Sequence, residues 1–415
     1  MTTIRPWRVT LQGAAALAAA MGVGRFVYTP ILPLMHAQAG LTVQLGSSLA
    51  TANYVGYLIG ALAGIALPRA VRSQTVLRAS LIVIIATLAL MPMTHSAAVW
   101  ITLRLLAGIA SALVFVVAVS AVLTTLRVHG QHLTGWAFGG VGAGIALSGA
   151  LVLALQGAGT WRQAWWLAAA LSLVLAIPAW MLRTSDADTT NTNTASTPPE
   201  SPHGRPSPHF IALFTAYSLE GIGYIIAGTF LVAAIDQSAP RWAGTGAWVL
   251  AGLAALPSSA LWAWLSRVWS RPTLLGAALV IQAVGIALPA LVGGIGPALV
   301  SAAAFGATFV GISTLTLATG AHLGTPRAVA ILTTGYSVGQ IAGPLLVTPL
   351  LHNGYHEALL IAGAILLVAA VAGGLARRRF PHHLGPLPSR VRDRHAADGA
   401  ITRSTRFAEN VGARS

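Results

Sequence analysis

Residues 183–207 read RTSDADTTNTNTASTPPESPHGRPS. Ser, Thr, Pro and Asn dominate, with almost nothing to bury, so the stretch reads as a disordered linker. Its surroundings are the opposite. Of the 415 residues, 55% are hydrophobic and only 8% are charged. Soluble domains carry about 25% charged residues. That deficit is too large for a surface covered by water. Apolar runs of about 20 residues, separated by short polar breaks, point to membrane-spanning helices.

Working outward from the linker, six such spans precede it and six follow. They cover 9–35, 44–67, 74–93, 97–125, 133–156, 163–182, 209–235, 243–265, 273–293, 297–320, 328–351 and 356–376. The expected fold is an all-α membrane protein of twelve transmembrane helices in two six-helix bundles. The bundles are 1–182 and 208–376, with the linker 183–207 between them and a disordered basic tail at 377–415.

The formal charge is +15, and no lysine contributes to it. The charge is unevenly placed. Nine arginines lie in 377–415 and most others at span ends, which suits anionic lipid headgroups and not a nucleic acid. In the loops, Arg5, Arg8, Arg69, Arg72, Arg127, Arg183, Arg205, Arg267, Arg271 and Arg327 fall on one side, with the tail. Arg162 and Arg241 fall on the other. Basic loops stay inside, so both termini are expected in the cytoplasm, with the chain in a bacterial inner (plasma) membrane. Arg5 and Arg8 before LQGAAALAAAMG resemble the start of a signal peptide, but the apolar run continues past any cleavage point.

The two halves resemble each other. MGVGRF (21–26) aligns with EGIGYI (220–225), and TGWAFG (134–139) with TGYSVG (334–339). Six spans separate the equivalents, so both halves have the same topology. A parallel repeat of this kind places a substrate site near the midplane, between the halves. Gly56, Gly60 and Gly64, and again Gly335, Gly339 and Gly343, recur every four residues and predict close helix packing.

Three ionisable residues sit well inside spans: Arg25, Arg104 and Glu220. Asp236 and Glu357 lie near span ends, where water reaches. A charge in hydrocarbon costs roughly 2.5 to 3.5 kcal/mol on insertion scales, so such residues face a bundle interior, find partners and mark transport pathways. In the repeat Glu220 falls opposite Met21, one turn before Arg25, and Arg25 falls opposite Tyr224. The two halves thus offer opposite charges at nearly equal depth. Tyr28 and Thr29 lie three and four residues from Arg25, Asn53 and Tyr57 four apart on the second span, and Tyr217 and Tyr224 on the face of Glu220. Hydroxyls and an amide of this kind orient a small polar ligand in an apolar cavity. Against these roles stand structural ones, with each arginine tied to backbone carbonyls and Glu220 a salt-bridge partner.

No cofactor or metal is expected. There is no cysteine. GGVGAG (139–144) has dinucleotide-like spacing, but it lies mid-span with no strand before it. HNGYHE (352–357) brings two histidines four apart, but its Asn-Gly favours a turn over a helical metal pair.

The 6+6 parallel repeat with its central linker resembles the major facilitator superfamily. GIALPRAVR (64–72) is similar to that superfamily's Gly-x-x-x-Asp-Arg-x-Gly-Arg loop. Gly64, Arg69 and Arg72 match, whereas Pro68 replaces the acid and Val71 the second glycine, so the motif's charge relay is incomplete here. RLLAGIASA (104–112) resembles the fourth-helix signature linked with proton coupling. The fifth span is glycine-rich like the antiporter signature but lacks its proline. GVGRFVYTPILPLM, ANYVGYLIGAL and YSLEGIGYIIAGTFL are similar to the YbfB/YjiJ branch over most of residues 9–376. That resemblance implies transport, and spans 1, 4, 7 and 10 lining a central cavity.

The expected function is therefore a proton-coupled secondary transporter of a small organic solute, monomeric in the bilayer and working by alternating access. Arg25, with Arg104, would attract an anionic group, and Glu220 would carry the proton. An efflux pump of broad specificity is the alternative. It would show an aromatic cavity, and the tryptophans fall mostly near the interfaces instead. A polytopic enzyme or a non-transporting sensor is a more distant alternative.

Overall fold

The computed structural model describes residues 6–67, 73–126, 131–155, 157–184, 207–323, 325, 328–377 and 380. The loop motif at 68–72, nearly all of the linker and of the basic tail, and Arg5, Arg69, Arg72, Arg127, Arg205 and Arg327 lie outside the described residues.

Among the described residues, twelve helices are long and apolar enough to cross a membrane. They are α1 (Pro6–Ala39), α2 (Val43–Ala66), α3 (Gln74–Met93), α4 (Ala97–Leu126), α5 (Leu133–Ala154) and α6 (Trp161–Trp180), then α7 (Pro208–Ser238), α8 (Trp242–Leu265), α9 (Arg271–Leu291), α10 (Ile295–His322), α11 (Ala328–His352) and α12 (His356–Arg377). Each lies within a few residues of its expected span. Several starts carry side-chain caps. Thr42, Ser73 and Ser207 each accept a backbone N–H three residues on, and Thr160 forms a capping box with Gln163.

The sequence repeat is also a packing repeat. In the first half α1 contacts α5 and α6, α4 contacts α2 and α3, and α3 contacts α6. Adding six to each label gives the contacts of the second half. The glycine ladders serve packing within each half. Cβ atoms added at Gly56 and Gly60 would sit 2.1 and 2.5 Å from the Leu105 and Ile109 carbonyl oxygens of α4. Likewise Gly339 and Gly343 meet the Ser218 and Ile222 carbonyls of α7, so backbones touch there.

Between the halves the fullest contact is α5 against α8, antiparallel along most of its length. Gly139 and Gly142 lie on Leu256, and Gly252 on Ala146. α2 meets α11, and α1 meets α7, toward the face away from the termini.

Candidate functional site

The site grows from a break in α1. Ala18–Val23 wind as a π-helix, residues 24–27 form a turn, and α-helix resumes over Tyr28–Ala39. The Gly24 N–H donates five residues back, to Ala19 O at 2.9 Å. π-Segments are frequent at functional sites. In lipid such a break persists only where other groups satisfy its carbonyls. Here Ser172 Oγ of α6 donates to Ala19 O at 3.2 Å, and Ser148 Oγ of α5 to Gly22 O at 3.5 Å. The Arg104 guanidinium of α4 donates to Gly24 O at 3.3 Å and to Arg25 O at 3.2 Å. Gly22 lets α5 approach, because a Cβ there would stand 2.4 Å from Gly144 Cα.

Arg104 therefore holds the break in place. Its own carbonyl accepts from Asn53 Nδ2 at 2.9 Å, and its charge lies 4.8 Å from the Tyr28 ring centroid. The Tyr28 hydroxyl donates to Gly46 O at 2.8 Å. These three candidate residues form a scaffold behind Arg25.

Arg25 itself is 3% exposed. Its Nη2 donates to Gln340 Oε1 of α11 at 2.7 Å, across the seam between the halves. The guanidinium carbon lies 4.1 Å from the Tyr57 ring centroid, 5.1 Å from Tyr54 and 5.5 Å from Phe26. Its Nε has no hydrogen-bond partner among the described residues. The guanidinium thus rests on a neutral amide, the Tyr57 side chain and aromatic faces, with no carboxylate among those partners.

Glu220 is fully buried, and neither carboxyl oxygen has a hydrogen-bond partner among the described residues. Gln282 of α9 lies beside its carboxyl. The structure does not bring Glu220 into ion-pair contact with Arg25. The Arg25 side chain reaches α11 instead of α7.

Tyr217 and Tyr224 both stack on Tyr336 of α11. From there the rings continue into a cluster in which Tyr224, Phe305 and Phe309 all touch one another. Tyr217–Tyr336 centroids are 4.5 Å apart at 14°, Tyr336–Tyr224 5.8 Å at 21° and Tyr224–Phe309 5.5 Å at 13°. Phe309–Phe305 are 5.4 Å apart at 16° and Phe305–Trp248 6.0 Å at 29°. Six nearly parallel rings from α7, α8, α10 and α11 form one wall. Phe26, next to Arg25, meets Phe309 edge-on at 6.2 Å. The counting of tryptophans did not reveal this wall, which is built mostly of Tyr and Phe.

Further ties cross the seam, each from mid-span toward the face away from the termini. Thr29 Oγ1 donates to Gly228 O. Thr29 and Gly228 are repeat equivalents, 199 residues apart, and meet where a two-fold axis between the halves would pass. Tyr54 OH and Thr229 Oγ1 are 2.7 Å apart, Ser47 Oγ and Thr348 Oγ1 2.5 Å, and Tyr355 OH and His36 Nε2 3.3 Å. Tyr355 lies between spans, and burial raises the pKa of its phenol, so it stays a hydroxyl donor there.

Sequence reasoning missed Gln340, Tyr336, Tyr54, Thr229, Phe305 and Phe309. One signal was present for Gln340. It stands opposite Gly140 in the repeat, a polar side chain where the first copy has none.

Comparison with known proteins agrees with this architecture. Residues 17–373 match the family described as "Uncharacterised MFS-type transporter YbfB". The crystal structure of a mutant of the nucleoside transporter NupG superposes with a TM-score of 0.66 at 13% identity, covering 89% of this chain and 100% of that one. That likeness is one of fold. None of the curated proteins matches this chain in sequence.

Proposed function

This chain belongs to that family of MFS-type transporters, and from that premise we propose that it is a proton-coupled secondary transporter of a small organic anion. The observation that carries this reading is Arg25, a buried charge at the seam whose partners include no carboxylate. An anion arriving there completes an ion pair in low dielectric, where such pairs are strongest. Glu220, fully buried on the opposite half beside the neutral Gln282, exchanges the proton.

The bundles 1–182 and 208–376 are the two moving bodies of an alternating-access cycle. The ties across the seam toward the face away from the termini support reading that face as the closed one in this conformer. The distribution of loop arginines puts the termini, and hence the opposite face, in the cytoplasm of a bacterial inner membrane. The protein acts as a monomer.

The aromatic wall supports a second reading, a pump that accepts many apolar ligands. Proteoliposomes loaded with a pH-sensitive dye and challenged with organic anions, and with neutral and cationic amphiphiles, separate the two. The first reading predicts proton movement with anions alone. Movement with cationic or neutral amphiphiles overturns it in favour of the pump.

A further inference from the structure

We propose that the substrate is a planar aromatic carboxylate, its carboxylate on Arg25 and its ring against Tyr224 and Tyr336. This names the substrate class of the site above and rests on that reading.

Two independent features converge on one place. The first is the free edge of Arg25. Nε is without a hydrogen-bond partner among the described residues, and the neighbouring Nη2 donates to the neutral Gln340 oxygen. Nε and Nη2 together form the side-on fork that a carboxylate grips with two parallel bonds. A carboxylate is the stronger acceptor, so it displaces Gln340 and takes both donors.

The second feature is the cluster of rings. Tyr336 sits one helical turn from Gln340, the residue that holds Arg25, and Phe26, next to Arg25, meets Phe309 of the cluster edge-on at 6.2 Å. The planes of Tyr224 and Tyr336 are 21° apart and continue into Phe309. A planar conjugated ring joins such a cluster in the offset or edge-on geometry that aromatic pairs prefer. A saturated ring is thicker and lacks the quadrupole. Anion and ring thus meet recognition groups on opposite halves. Displacing Gln340 also removes a tie that crosses the seam, so arrival of the carboxylate is coupled to release of one half from the other.

The test is binding to the purified full chain in detergent, by thermal shift and by displacement. The probes are benzoate, 2-naphthoate and indole-3-carboxylate, with cyclohexanecarboxylate as the non-aromatic anion and benzamide as the uncharged ring. At least one aromatic carboxylate is expected to bind tenfold or more tightly than both controls. Arg25→Gln should abolish its advantage over benzamide, and Tyr224→Leu its advantage over cyclohexanecarboxylate. Equal binding of saturated and aromatic carboxylates overturns the proposal while leaving an anion transporter standing. So does binding of no aromatic carboxylate while aliphatic anions still move protons in proteoliposomes. If no anion binds or moves protons, both readings fall together.

Discussion

Arg25 of α1 donates to the amide oxygen of Gln340 on α11 at 2.7 Å, joining the two halves of the protein at mid-membrane. The bond is charge-assisted on one side only, and the arginine has no counter-charge among its partners. Arg25→Gln removes this buried charge while keeping a polar side chain of similar reach. We expect transport to fall at least about tenfold, because charge-assisted bonds are worth roughly 1.5 to 3 kcal/mol. The unfolding temperature in detergent should hold or rise, since the change removes the desolvation penalty of a buried charge that has no counter-charge. Arg25→Lys keeps the charge and loses the fork, and should fall between. A large drop in unfolding temperature for Arg25→Gln would make the residue structural.

Arg104 should behave in the opposite way. It donates to two carbonyls at the break in α1. Arg104→Gln leaves Gly24 O and Arg25 O without those donors inside the membrane, at a cost of about 1 to 3 kcal/mol each. Its unfolding temperature should fall by several degrees, and Arg104→Lys should recover part of the loss. An unchanged melting curve with abolished transport would move Arg104 into the binding site.

The close approach of α1 and α5 is tested at Gly22. Gly22→Ala places a Cβ 2.4 Å from Gly144 Cα and 2.7 Å from Val141 O, which are backbone atoms that cannot swing aside. Overpacking of this kind costs typically 1 to 3 kcal/mol. Gly374→Ala is the control, because a Cβ there meets nothing within 4 Å. It should be neutral or slightly stabilising. Equal melting temperatures for the two variants would contradict the packing described.

The chain has no cysteine, so engineered thiols have no competitors. Ser47 and Thr348 face each other across the seam, hydroxyl to hydroxyl at 2.5 Å. The S47C and T348C pair should cross-link on mild oxidation, stop transport, and regain it on reduction. Cross-linking that leaves transport intact would show that this face need not open.

The helices and the 6+6 division were legible in the sequence because a bilayer leaves little choice. Backbone groups must be paired within a span, and spans must be apolar for about 20 residues. The repeat was legible because glycines at close contacts, such as Gly22 and Gly221, admit no other side chain. Arg25 stood out as a charge, and the structure gives it partners distinct from those of Arg104. That distinction was hidden, since both are arginines mid-span and only the partners differ. The π-segment at Ala18–Val23 was also hidden. Its cause is not in its own AAAMGV but in donors from α4, α5 and α6. The aromatic wall assembles from four helices, so no local periodicity announces it.

Proton coupling through Glu220 is the central claim, and one comparison tests it most directly. Wild type and Glu220→Gln are reconstituted in proteoliposomes, and accumulation of an accepted anion is followed with and without an imposed pH gradient. Wild type should accumulate solute only with the gradient. Glu220→Gln should lose gradient-driven accumulation yet still exchange labelled for unlabelled solute, because Gln fills the same buried volume without a titratable proton. Gradient-driven accumulation by Glu220→Gln equal to that of wild type would contradict the account.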